Sequence, residues 1–276
     1  MSNDSLSNSG FLATPAAWDL VAPAYAAELV SQLASYAEDA LRLANVEHGA
    51  RILDVACGPG TLTLLAARRG ANVDALDLSP GMIDRLRAAL TREQVTGRVE
   101  VRLGDGQQLP YAARSYDAAF SMFGLMFFPD RHRGFCELRR CLRDDGTAVV
   151  SAWQPIEGNV PFWAGIFTAL RAAVPSLSFG RHEAPLSRRD VFVAELSEAG
   201  FRDVAVHDVR HRFTTASTAD AWAMAQRTIA PLALLARDMG VAWTPIAEQL
   251  GADLVAMFGA GPQTITMPAW LGVGRR

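Results

Sequence analysis

Two hydrophobic rhythms alternate along the chain. Short apolar runs with β-branched residues, beginning with Ile52, Leu53 and Val55, have the length and composition of buried strands. Between them lie stretches with apolar residues at helical spacing, such as LTLLAARR from Leu62, which Gly70 can cap. The pattern predicts a first strand from Arg51 to Val55 and further strands over 72–78, 98–103, 116–123, 147–153, 202–213 and 265–274. A helix with Phe135, Leu138 and Leu142 on one face precedes the fifth strand, and a helix over 188–199, ended by Gly200, precedes the sixth. Strands and helices in this alternation predict an α/β fold with a mostly parallel sheet.

Outside that core the pattern is helical. Residues 1–10 read as a mobile polar tail. Leu20, Tyr25, Leu29, Leu33, Tyr36, Leu41 and Leu43 predict one or two amphipathic helices over 16–43, interrupted near Pro23. Phe162, Trp163, Ile166, Phe167 and Leu170 also recur at helical spacing. They lead into a turn-rich run ending in Arg181, His182 and Glu183, which predicts a lid. Between strands six and seven lie about fifty residues where a short hairpin would suffice. Their apolar content, from Trp222 to Phe258, must be buried, either as a roof on a substrate pocket or as a subunit interface for a homo-oligomer; the roof is expected. The expected organisation is a tail and helices over 1–48, a core over 49–153, a lid over 154–186, a core helix and strand over 187–213, a helical cap over 214–263 and a last strand over 264–276.

The chemistry concentrates where the first three strands end. Gly58 and Gly60 follow the first strand, so a ligand can approach the backbone, and the amides opening the next helix offer free donors. Asp54 adds a carboxylate that repels a pyrophosphate and attracts an ammonium or sulfonium. The second strand ends in Asp77 and the third in Gly104, Asp105 and Gly106. In an open parallel sheet these acids converge on a ligand outside the carboxyl ends of the strands. Asp77 is placed to accept from two ribose hydroxyls. Ser79 caps the following helix, and Met82 projects from its first turn toward a base bound by Asp105.

LDVACGPGT, ALDLSPGM, GDGQQLPY, SYDAAFSMFGLMFFPDR and ELRRCLRDDGTAVVSAW together resemble the class I S-adenosylmethionine-dependent methyltransferases. Within that class they are similar to the ubiquinone and menaquinone C-methyltransferase branch. The resemblance runs from Arg51 to about Trp153 and implies a Rossmann-like, seven-stranded, mostly parallel sheet with helices on both faces. It implies that Gly58 and Gly60 line the methionine moiety beside Asp54, Asp77 binds the ribose next to Leu78, Met82 packs on adenine, Asp105 and Gly106 meet the adenine amino group, and Met122 closes the pocket. Ala56 stands where many members have glycine, a position where a methyl can fit. Asp144, Asp145 and Gly146 replace the usual Pro-Gly-Gly turn. Leading segments in this family close over the cofactor, so Tyr25 either meets the ligand or packs its helix on the core.

Methyl transfer from a sulfonium is a direct displacement that needs alignment and exclusion of water rather than a catalytic triad. Phe123, Met126, Phe127 and Phe128 form a fitting apolar wall, and Tyr25, Phe127 and Trp153 are the candidate substrate contacts. A weakly acidic acceptor needs a general base. His182, in the lid, is the candidate, whereas strand six holds His207 and His211.

The formal net charge of −3 gives no electrostatic footprint for nucleic acid. All 26 basic residues are arginine, which excludes lysine Schiff bases and Walker-type phosphate loops. The three cysteines lack metal-ligand or disulfide spacing and point to reduced thiols in the cytoplasm, with no metal. The first residues have no secretory pattern, and the longest apolar run, over 118–129, is too short to span a bilayer. Three rivals remain. One is a cofactor-binding enzyme of the same fold without net methyl transfer or with a coupled rearrangement; another is a non-enzymatic binding module. The third, a nicotinamide oxidoreductase, requires a glycine where the chain has Thr63.

Overall fold

The computed structural model describes residues 9–174 and 186–276. Its strands are β1 (Arg51–Val55), β2 (Asn72–Asp77), β3 (Val99–Leu103), β4 (Tyr116–Ser121), β5 (Leu142–Trp153), β6 (Arg202–Thr215) and β7 (Gln263–Arg275). They form one seven-stranded sheet in the order β3-β2-β1-β4-β5-β7-β6. The first five strands pair in parallel, and β7 runs antiparallel between β5 and β6. This is the Rossmann-like sheet that the sequence predicts.

The interior strand β1 carries apolar residues on both faces because both are covered. Ile52 packs with residues of α2 (Val30–Leu43), α3 (Thr61–Arg68) and α4 (Pro80–Arg92). Leu53 and Val55 pack on the other side with residues of α5 (Arg131–Cys141) and α8 (Arg189–Glu198). Successive side chains alternate between the faces, as the strand period requires. From β1 the chain winds outward through β2 to β3, then returns to lay β4 on the opposite side of β1. The reversal opens a crevice at the carboxyl ends of β1 and β4.

The leading segment departs from expectation. A short 3-10 turn, Ser9–Ala13, leads into α1 (Pro15–Glu28), which runs straight through the exposed Pro23. The break falls at Leu29, not near Pro23. The two helices there serve different bodies: α1 packs on α4 and on the late helices, and α2 packs on α3. Pro23 removes one backbone donor on an exposed face, and the helix continues past it to Glu28.

After β5 come α6 (Ile156–Asn159) and α7 (Pro161–Ala173). The late insertion forms α9 (Thr218–Thr228), α10 (Ala230–Met239) and α11 (Trp243–Phe258). Its apolar face is buried within this chain: Trp222, Leu232, Leu235, Leu250 and Leu254 pack with Phe162, Trp163, Ile166 and Leu170 of α7. Arg227 of α9 pairs with Glu28 of α1 at 2.9 Å. No helix among the described residues is long and apolar enough to cross a membrane.

Candidate cofactor and active site

The turn after β1 is held open by left-handed backbone. Gly58 and Gly60 adopt φ of +55° and +95°. A Cβ at Gly58 would meet nothing within 4 Å, so this glycine leaves its backbone bare to the crevice. A Cβ at Gly60 would lie 2.3 Å from Leu86 Cδ1, so that glycine lets the turn seat against α4. Ala56 also sits at positive φ, +55°, which strains a residue carrying a Cβ. Its methyl fits only because Gly124 lies opposite, where a Cβ would come within 2.3 Å of it.

The three strand-end acids stand side by side on neighbouring strands, and each is held differently. Asp54 is buried; its Oδ2 accepts from Thr63 Oγ1 at 2.6 Å, while Oδ1 has no partner. Burial pushes its carboxyl up to about 7, and the Asp77 carboxylate adds to the rise. Asp77 accepts from Gly58 N at Oδ2 and from Ser79 N at Oδ1, both at 2.8 Å. Burial raises its pKa as well, against the pull of those amides. The Leu78 amide also bonds this carboxylate, which leaves acceptor capacity for a further donor. Asp105 is exposed, and Gln107 holds it through its backbone N–H at 2.8 Å and its side-chain amide at 3.0 Å. Gly106 beside it is obligatory, since a Cβ there would lie 2.4 Å from Phe128 Cζ.

These residues line one cleft enclosing about 1020 Å³ of space open to solvent. Asp54, Gly58, Asp77, Leu78, Met82, Asp105, Gly106 and Met122 all border it; so do Tyr25 and Phe127. Gly60 lies in the turn beneath. Phe123 closes the far side in the left-handed region, φ +57°, with its N–H donating to Ser151 Oγ at 2.7 Å. Such a conformation costs a bulky residue energy and is held by its surroundings. Trp153 stacks behind Phe123, with ring centroids 3.9 Å apart, and does not itself border the cleft.

Burial and the nearby Asp77 carboxylate raise the pKa of the Tyr25 hydroxyl, keeping it a proton donor. His182 lies outside the described residues. His211 pairs with Asp39 at 2.8 Å, and neither it nor His207 borders the cleft. Among the described residues the insertion contributes nothing to the lining: it backs α1, which does. No cluster of described residues is placed to hold a metal ion.

Sequence reasoning missed the wall opposite the sheet. Leu12, Trp18 and Leu33 border the cleft. Trp18 Nε1 donates to Leu12 O at 2.8 Å, and its ring tilts against Phe127 at 5.2 Å. Trp18 sits on a helix that is apolar around most of its girth, where an aromatic residue reads first as core.

An open α/β sheet with a glycine turn and adjacent acidic strand ends is the layout of a nucleotide-binding fold. More narrowly, the chain is similar to the class I methyltransferases: residues 53–150 match the family described as a methyltransferase domain. An uncharacterized protein of Mycobacterium tuberculosis is 33% identical over 153 residues, covering 55% of this chain and 54% of the relative; the match thus spans about half of each. The ubiquinone/menaquinone biosynthesis C-methyltransferase of Citrifermentans bemidjiense is 27% identical over 68% of this chain and 88% of its own. The nocamycin O-methyltransferase of Saccharothrix syringae is 29% identical over 94% of this chain and 96% of its own. Among solved structures, the [4+2]-cyclase SpnF shares the fold with a TM-score of 0.57, 17% identity and coverage of 88% of this chain and 80% of its own. A phosphoethanolamine N-methyltransferase of Haemonchus contortus, solved with S-adenosyl-L-methionine, shares it at 0.54, with 16% identity over 88% of this chain and 52% of its own.

Proposed function

We propose that the protein transfers a methyl group from S-adenosylmethionine to a small, largely apolar metabolite of aromatic, quinone-like or isoprenoid character, releasing S-adenosylhomocysteine. The observation that carries this reading is Asp54, a buried carboxylate beside the open glycine turn with one oxygen unpartnered. A buried acceptor without a protein partner fits a cationic ligand. Bound S-adenosylmethionine supplies a methyl group on a sulfonium, open to direct displacement.

The chain's own residues then bind, orient and exclude water. The Gly58 backbone and Asp54 take the methionine end, Asp77 accepts from the ribose hydroxyls, and Met82, Asp105 and Gly106 hold the adenine. Met122, Phe123 and Phe127 keep water from the reacting face, and low polarity there does not oppose loss of the sulfonium charge. Tyr25 donates to an oxygen of the acceptor, with Trp153 stiffening Phe123 from behind. The apolar lining supports the substrate class, and the named relatives methylate oxygen in one case and carbon in the other. The insertion's apolar face is covered within the chain, which speaks against a subunit interface there, and it braces α1 from behind rather than roofing the cleft itself. The free thiols, two of them buried, support a cytoplasmic setting.

Calorimetric titration with S-adenosylhomocysteine tests the reading: binding at one site is expected, and no binding would overturn it. The SpnF fold keeps cyclisation as the second reading. A product heavier by one methyl separates methyl transfer from rearrangement alone.

A further inference from the structure

The first helix is tied over the cleft by bonds that the proposed chemistry leaves unused. Asp19, on α1, faces the first turn of α4: its Oδ1 accepts from Ser79 Oγ at 2.5 Å and from Gly81 N at 2.8 Å. Ser79 also caps α4 by accepting from Met82 N at 3.0 Å, and its own N–H donates to Asp77 Oδ1. Asp77 in turn holds Gly58 N. One chain of hydrogen bonds therefore runs from α1 through the start of α4 and the end of β2 to the glycine turn.

The contact is closely fitted. A Cβ at Gly81 would lie 3.0 Å from Asp19 Oδ1 and 3.1 Å from its Cα. The carboxylate also meets the positive end of the α4 dipole, and bonds to a charged acceptor are the stronger kind. The apolar side of the same contact joins Ala17, Val21 and Ala22 to Met82, Ala230 and Leu234, with Trp18 and Tyr25 packed against them. The same helix brings Trp18 and Tyr25 to the cleft.

We propose that Asp19 is a positioning residue that latches α1 to the start of α4, so that Trp18 and Tyr25 close over the adenosyl cofactor and closure is coupled to ribose binding at Asp77. The inference rests on the cofactor reading above. It makes α1 the wall that moves to admit the cofactor, while the sheet-side wall stays fixed. The Arg227–Glu28 pair carries α9 along with α1.

The test is hydrogen exchange and calorimetry on the full chain, with S-adenosylhomocysteine as the probe. In the wild type the probe slows exchange across α1 at least tenfold. Asp19→Ala weakens probe binding about tenfold, the loss expected for a hydrogen bond to a charged group, and abolishes the protection of α1 while that of β1 and β2 persists. Gly81→Ala does the same from the other side: it displaces the carboxylate but adds a good helix former, so it decides the matter if Asp19→Ala fails to fold. Asp19→Asn keeps an acceptor oxygen and recovers part of the affinity. If both alanine variants bind the probe within twofold of wild type, with α1 protected as in wild type, the latch is overturned. If the wild type binds no probe, the cofactor reading falls first and the latch with it.

Discussion

The two walls of the cleft are built on different physics. On the sheet side, acids at the ends of β1 and β2 are locked by backbone amides and by Thr63, in register with paired strands and under a full core. On the helix side, α1 is joined to the start of α4 by a cluster of apolar side chains and one carboxylate, and to α9 by the Arg227–Glu28 pair. Under the proposed latch the contrast divides tasks: the preorganised sheet-side wall selects the ligand's charge and shape, and the helix-side wall, tied through Asp19, closes on it. Stability concentrates in buried core strands, and elements that must open come from the low end.

The largest expected effect probes the sheet-side wall through pH. The folded Asp54 carboxyl titrates near 7 and the free one near 3.8, so between those values the folded protein binds more protons than the unfolded chain. The ligand-free protein should therefore lose stability as pH rises through that window, by about 4 kcal/mol in total. Asp77, also raised, acts in the same direction. Asp54→Asn should flatten the loss in urea melts run from pH 5 to 8; an unchanged slope would assign the titration elsewhere.

Gly60→Val should come next, at about 3 kcal/mol, because it combines a left-handed residue with overpacking against Leu86. Denaturant unfolding reads it directly, and a loss under 1 kcal/mol would mean the turn is not as tightly seated as described. Asp77→Ala should cost about 2 kcal/mol of S-adenosylhomocysteine affinity by calorimetry, and unchanged affinity would remove the ribose assignment. The smallest effect belongs to the helix side. Trp18→Phe keeps a ring against Phe127 but drops the bond to Leu12 O, at about 1 kcal/mol. It should speed exchange over 9–13 while leaving the global melt in place; a large shift in the melt would make this wall as structural as the other.

What was legible in the sequence follows the same division. The β1 turn, the acids at Asp77 and Asp105 and the Ser79 cap are local patterns, set by neighbours a few residues away. The role of Asp19 was not legible, because its partners Ser79 and Gly81 lie some sixty residues along the chain. Pro23 misled because its local effect, the loss of one backbone donor on an exposed face, does not stop α1, which continues to Glu28. Ala56 was expected to fit a glycine position, and it does so through Gly124, another distant partner. Trp153 carries the composition of a substrate contact yet lies one layer back, since register on β5 and the Phe123 ring decide which surface it meets.

The central claim is that three neighbouring acids frame an adenosyl sulfonium. Crystals soaked with S-adenosylhomocysteine test it most directly. The account predicts density in the cleft with the ribose against Asp77, the adenine toward Asp105 and the sulfur end over Asp54 and Gly58. Density that leaves these acids empty and lies elsewhere on the molecule would contradict it.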